Sequence, residues 1–208
     1  MTLPPDQAST TTKTSTNNAT MFRTTFHNNV TTPIPSDLNT SLLLALLHDH
    51  SYLITMQPIV TRHSIRSRDQ ASGEITYDIW ENIDLLPFGL WKREIQFQAA
   101  FTDTDTGVVS TVEAPMGFVS SAEYVIRPAG AKDSEGNDAV DGATAEEGGW
   151  VLEEKIESSC NVVFKWFVQG TMVPVRRKMH ARILEKVRER EVRRSVASAG
   201  DGREGNWV

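Results

Sequence analysis

The spacing of apolar residues changes twice along this chain. Phe22, Thr24 and Phe26 alternate with Arg23 and Thr25, the mark of a half-buried strand reaching about Val30. Thr32-Pro33-Ile34-Pro35-Ser36-Asp37 then predicts a turn, with Ser36 or Asp37 capping a leucine-rich helix from Leu38 to about His48. A second short helix from Asp49 to Ile54 stops before Pro58, which cannot continue it. From there the period is two. Ile59, Thr61, His63 and Ile65 share one face of a strand over 59–66, Ile75, Tyr77 and Ile79 one over 74–83, and Ile95, Phe97, Ala99 and Phe101 one over 91–103. Asp103-Thr104-Asp105-Thr106-Gly107 is a turn signal, and further strands follow at 108–114 and 118–127 with Pro115-Met116-Gly117 between them. Trp150, Leu152, Glu154, Ile156 and Ser158 alternate in the last strand.

From Val163 to about Val192 the spacing is helical. Phe164, Val168, Met172, Val175, Met179, Ile183 and Val187 recur every three or four residues, one stripe of a helix roughly eight turns long. Gly170 and Pro174 predict a kink or a short preceding helix. The stripe needs cover, and the strands can supply it. The simplest closed solution is an α+β fold in which a curved antiparallel sheet of about seven strands wraps the long C-terminal helix, with two short helices after the first strand.

These elements make one domain over 21–192, within the usual size of a single core. The Thr/Ser/Asn-rich stretch 1–20 buries too little to offset the entropy of ordering and reads as a disordered tail. Residues 129–149 read as a flexible acidic loop and 193–208 as a frayed tail in which Trp207 has no evident role.

Charge refines the picture at one end only. The net charge is −6, yet nine basic residues between Arg176 and Arg194 face only Glu185, Glu189 and Glu191, a local +6 that leaves −12 elsewhere. A basic helical face can attract anionic lipid or nucleic acid, whereas cations toward a helix C-terminus also complement its dipole. The mixed charges read as a solvated face, with weak contact to an anionic membrane as the one alternative and no nucleic-acid partner. No apolar run approaches the roughly 20 residues that span a bilayer, and the start lacks a secretory pattern, so the expectation is an intracellular, cytoplasmic protein. Cys160 is the single cysteine, so no intrachain disulfide forms. The sequons at Asn18, Asn29 and Asn39 are discounted for want of a secretory route.

Chemical motifs are sparse. His48 and His50 straddle Asp49, but no further ligands stand at zinc-like spacing, so no metal is expected and both read as solvated helix-end histidines. His63 shares a face with Ile59 and Ile65, which suits either a hydrogen-bonded core histidine or a general base. His180 falls in the basic run, facing outward or bordering the sheet, and Glu81, Asp84, Glu94 and Glu113 read as outward strand residues. Phosphate loops, a G-x-S-x-G elbow and a cysteine–histidine pair are missing as motifs, so no cofactor is expected.

The phrases FRTTFHNNVTTPIP, ITYDIWENIDLLP, APMGFVSSAEYVIRP and WVLEEKIESSC, with the order of the elements, resemble a fungal family of unknown function within the START-like (SRPBCC) superfamily, over about 21–192. Lipid-transfer domains, plant allergens of the birch-pollen type and polyketide cyclases belong to that superfamily. The resemblance implies a helix-grip fold with an apolar cavity between sheet and helix. It makes His63, Tyr77, Ile79, Phe97, Phe101, Tyr124 and Ile126 candidate wall residues from the strands, and Val168, Met172, Val175 and Met179 from the helix. The same side chains could equally fill a closed core. The function implied is binding or transport of a hydrophobic small molecule, such as a lipid, sterol or polyketide-like compound. The alternatives are a polyketide cyclase or dehydratase-like enzyme using His63 and Tyr77, and a peripheral membrane or protein-interaction module using the basic helix.

Overall fold

In the computed structural model, described for residues 23–84, 92–130, 149–162 and 165–201, the elements follow in the expected order. They are β1 (Arg23–Ile34), α1 (Thr40–Leu47), α2 (His50–Thr55), β2 (Val60–Arg68), β3 (Ile75–Asp84), β4 (Lys92–Thr104), β5 (Gly107–Ala114), β6 (Phe118–Pro128), β7 (Trp150–Asn161) and α3 (Lys165–Asp201). The expected tail at 1–20, most of the acidic loop and Trp207 lie outside the described residues. All strands form one antiparallel seven-stranded sheet in the order β1-β7-β6-β5-β4-β3-β2. Strands β2 to β7 pair with their sequence neighbours, and α1 and α2 carry the chain from β1 at one edge to β2 at the other. The sheet curves around α3, which packs against β1, β7 and α1. This is a helix-grip fold. Among the described residues no helix is long and apolar enough to cross a membrane.

Several boundaries differ from the pattern-based expectation for physical reasons. β1 runs through Pro33 to Ile34 because it is an edge strand, where a proline lacking its N–H is tolerated. Asn39, rather than Ser36 or Asp37, caps α1, its side chain accepting from the backbone N–H groups of Ser41 and Leu42. Replacing Asn39 with alanine is expected to lower the unfolding free energy by about 1 kcal/mol in urea titration, the usual cost of a lost cap. Helix α3 passes through Gly170 and Pro174 without an assigned break and continues beyond Val192 to Asp201.

Two phase errors matter more. β2 carries register shifts between Val60 and Arg62 and between Ile65 and Ser67. The first shift brings Val60, opposite Glu81, onto the face of His63 and Ile65, which stand opposite Ile79 and Tyr77; Ile59 is exposed, and Ile65 shares the inward face yet stays exposed because β2 is an edge strand. On α3 the inward face is Met172, Arg176, Met179, His180, Ile183 and Val187, so that Val175 is exposed while His180 is fully buried. A stripe drawn through Val175 drifts off the contact line, because residues four apart stay closer to one face than residues three apart on a helix of 3.6 residues per turn.

The basic residues of α3 are put to use along one edge. Arg188 pairs with Asp37 at 3.4 Å and Arg190 with Asp49 at 3.0 Å, while the Glu191 carboxylate accepts from the Asn39 backbone N–H. They staple the caps of α1 and α2 to α3, and Lys186 pairs within the helix to Glu189 at 2.8 Å. Each exposed pair contributes little alone. Together they fix where the short helices sit over the sheet.

Candidate functional site

Pro58 ends the helical run of α2, and residues 56–59 return across α3 before β2 begins. The Nη1 of Arg182 donates to the Met56 carbonyl oxygen at 3.2 Å and fixes that crossing. Between the connection and α3 lies a cavity of about 360 Å³. Met56, Gln57, Pro58 and Ile59 form one wall. Val175, Lys178, Met179 and Arg182 form the other, positions that share one side of the helix. Met56 and Met179 are buried, at 8% and 7% exposure, whereas Ile59 and Val175 are 43% and 52% exposed. The cavity therefore has a thioether floor and an aliphatic rim. A larger hollow of about 540 Å³ on the outer face of β1, β6 and β7 is lined by solvent-facing polar groups such as His27, Asn29, Glu123 and Glu157. It lacks an apolar floor and suits a small hydrophobic ligand less well.

Of the residues the sequence singles out, only Val175 and Met179 line the mouth cavity. Tyr77, Ile79, Phe97, Phe101, Tyr124 and Ile126 all point inward and pack into one core cluster with Met179. Met172 is half-buried beside that cluster, where the Nδ2 of Asn28 approaches its sulfur at 3.6 Å. His63, on the edge strand β2 opposite Ile79, is half-buried and hydrogen-bonded to the Ser51 hydroxyl at 3.0 Å. Val168 lies in α3, but its side chain is outside the described set.

Two polar networks sit inside this apolar frame. The first joins the start of α2 to β3 and β4: His50 Nε2 donates to Asp103 Oδ1 at 2.9 Å, leaving Nδ1 to accept from the Tyr77 hydroxyl at 3.4 Å. The imidazole stacks on Phe101 with ring centroids 4.8 Å apart, and burial raises the Tyr77 pKa above its ordinary value. His48 Nε2 donates to the carbonyls of Thr104 and Gly107, at 3.1 and 2.9 Å, and so holds the β4–β5 turn. His48 and His50 are thus structural groups, His50 being 4% exposed, and the reading of both as solvated is corrected.

The second network lies between sheet and α3. Arg176 Nη1 donates to the Tyr124 hydroxyl at 3.2 Å and stands 3.3 Å from Glu154 Oε1. His180 Nε2 donates to the other Glu154 oxygen at 3.2 Å and its Nδ1 accepts from the Thr32 hydroxyl at 2.9 Å. Glu154 and His180 are fully buried. Burial, reinforced by the Glu154 charge, raises the Tyr124 pKa, so the phenol stays protonated. Burial opposes the Arg176 charge, but Tyr124 and Glu154 outweigh it and hold the guanidinium pKa above normal.

A third polar group stands alone. Glu81 continues the inward phase of Tyr77 and Ile79, opposite Val60 and Ile95, and is 7% exposed. Desolvation raises its pKa to about 7. The outward reading of Glu81 is therefore wrong, and its two-residue spacing from Ile79 was the signal for it. Glu154 likewise keeps step with Leu152 and Ile156. Lys178 and Arg182 were legible only as members of the basic run, and nothing local joined them to the Met56–Ile59 connection, because the two become neighbours only when α2 meets α3. Among the described residues no group of three or more His, Cys, Asp or Glu is placed to hold a metal ion.

The geometry defines a helix-grip protein with an apolar mouth between its second short helix and its long terminal one. The chain belongs to the DUF7053 family, a domain of unknown function, which it matches over residues 23–189. No curated protein matches it. Among solved structures it is similar to Ara h 8.0201, at 12% identity over 80% of this chain and 99% of that one, with a TM-score of 0.47. SA2116, a protein of unknown function from Staphylococcus aureus, is 11% identical over 82% of this chain and 98% of that one, with a TM-score of 0.45. BexL, a di-domain ARO/CYC of the BE-7585A biosynthetic pathway, is 13% identical over 85% of this chain, with a TM-score of 0.44. The chain spans about half of that protein's length, 47%.

Proposed function

We propose that this protein is an intracellular carrier or sensor that holds a hydrophobic small molecule at the mouth between the 56–59 connection and α3. The observation that carries the reading is the cavity of about 360 Å³ floored by Met56 and Met179, a volume within the range of small-molecule sites. Methionine side chains adapt to ligand shape at little cost. The cyclase-like alternative draws on His63 and Tyr77. His63 is hydrogen-bonded to Ser51 and Tyr77 to His50, and among the described residues no Asp, Glu, His, Tyr or Cys lines the mouth, so retention of a ligand is the function favoured.

Titration with the neutral fluorophore N-phenyl-1-naphthylamine tests this. Saturable binding is expected, and Val175→Trp should weaken it by about tenfold or more by filling the rim, roughly the 1.4 kcal/mol of one lost apolar contact surface. Val175 is exposed, so the variant should keep its fold. Absence of saturable binding, or unchanged affinity in the variant, removes the mouth as the site.

A further inference from the structure

The charges on the mouth are all of one sign. Among the described residues, Lys178 and Arg182 are the only ionisable ones lining it, one helical turn apart on the same side of α3, and every other described wall residue is apolar apart from Gln57. Four neighbouring cations on α3 are matched, Arg176 by Glu154, Lys186 by Glu189, Arg188 by Asp37 and Arg190 by Asp49, whereas Arg193 and Arg194, more than two turns beyond the mouth, enter no described ion pair. Lys178 and Arg182 enter no described ion pair. Arg182 spends Nη1 on a neutral carbonyl, at 3.2 Å, which orients its guanidinium and leaves further N–H donors toward the mouth.

An apolar floor beneath two uncompensated cations fits a ligand that is apolar at one end and anionic at the other. We infer that the mouth takes a single-chain amphiphile bearing a carboxylate, its tail between Met56 and Met179 and its head group between Lys178 and Arg182. This inference rests on the mouth being the ligand site. The occupant is a free molecule rather than a bilayer surface. The site is concave and sized for one small ligand, and the neighbouring cations Lys186, Arg188 and Arg190, which a flat anionic surface would need, are already paired. A guanidinium and an ammonium around one carboxylate make charge-assisted hydrogen bonds, which are stronger than neutral ones and directional in the case of arginine.

The test is displacement of N-phenyl-1-naphthylamine from the full chain by decanoate and by decanol, which share a tail and differ in head-group charge. Decanoate is expected to compete at least tenfold more strongly. In Lys178→Met and Arg182→Met, which keep the apolar stems of these exposed side chains, the decanoate-to-decanol ratio should fall toward one, whatever happens to absolute affinity. Equal competition by the two compounds on the unmodified protein overturns the inference while leaving the mouth as a site for neutral ligands. Competition by neither, with no fluorophore bound, overturns both. Sedimentation with anionic vesicles that is stronger than decanoate binding and is lost in the same two variants also overturns it, in favour of a membrane contact.

Discussion

Replacing Arg176 with methionine is expected to destabilise the protein by about 3–5 kcal/mol in urea unfolding, the cost of leaving a buried charge without its partner. Glu154 is fully buried, and its Oε1 makes no hydrogen bond, so the guanidinium at 3.3 Å is the charge that compensates that oxygen. His180 reaches only Oε2. Methionine preserves much of the arginine stem, so the loss measures charge rather than volume. The companion variant Arg176→Met/Glu154→Leu should recover most of the stability, because exchanging a whole buried pair for apolar side chains is often neutral or favourable. A single-variant loss under about 1 kcal/mol would mean that water reaches Glu154. Failure of the double variant to recover would assign the cost to packing around Tyr124 and Met179 instead.

Glu81→Gln should change how stability depends on pH. A carboxyl of ordinary pKa 4.5 in the unfolded chain rises to about 7 in the fold. The folded state therefore holds a proton that the unfolded state has released over that interval. Stability falls as pH rises from about 4.5 to about 7 and then levels off, the opposite of a salt-bridged carboxylate. The displacement corresponds to about 3 kcal/mol, at roughly 1.4 kcal/mol per pH unit. Glutamine stays neutral throughout, so the variant should lack this slope and exceed the parent by about 3 kcal/mol at pH 8, while differing little at pH 4. Parallel pH profiles in guanidinium or thermal unfolding would show that Glu81 is solvated in the native state.

The sheet, the two short helices and the long helix were all legible from spacing, since alternation and the three-to-four repeat follow directly from strand and helix geometry. What failed was phase. A register shift in β2 brought Val60 onto the inward face in place of Ile59, and nothing in a single strand announces such an irregularity; Ile65 kept its expected face but lies exposed on the edge strand. On α3, Arg176 and His180 were hidden by their polarity: the stripe was drawn through apolar residues, and a buried ion network occupies part of it. The mouth was half legible. Val175 and Met179 stood in the stripe, but the opposite wall comes from a connection whose only local message was a proline. The cations further along α3 could be read as a solvated face because the partners of Arg188 and Arg190, Asp37 and Asp49, lie 151 and 141 residues away in the chain.

The pairing of β1 with β7 has a consequence during synthesis. Arg23 meets Ser159, 136 residues further along, and β1 has no other neighbour in the sheet. At about 5–20 residues per second, the first strand leaves the ribosome on the order of ten seconds before its partner exists. Through that interval Phe26, Val30 and Ile34, all buried in the finished fold, have nothing to cover them. Strands β2 to β6 can zip together as they emerge, since each meets its neighbour across a local hairpin. Closure of β1 is a late, long-range event of the kind that slows folding, and the nascent chain must keep an apolar strand from foreign sheet edges until its own last strand arrives.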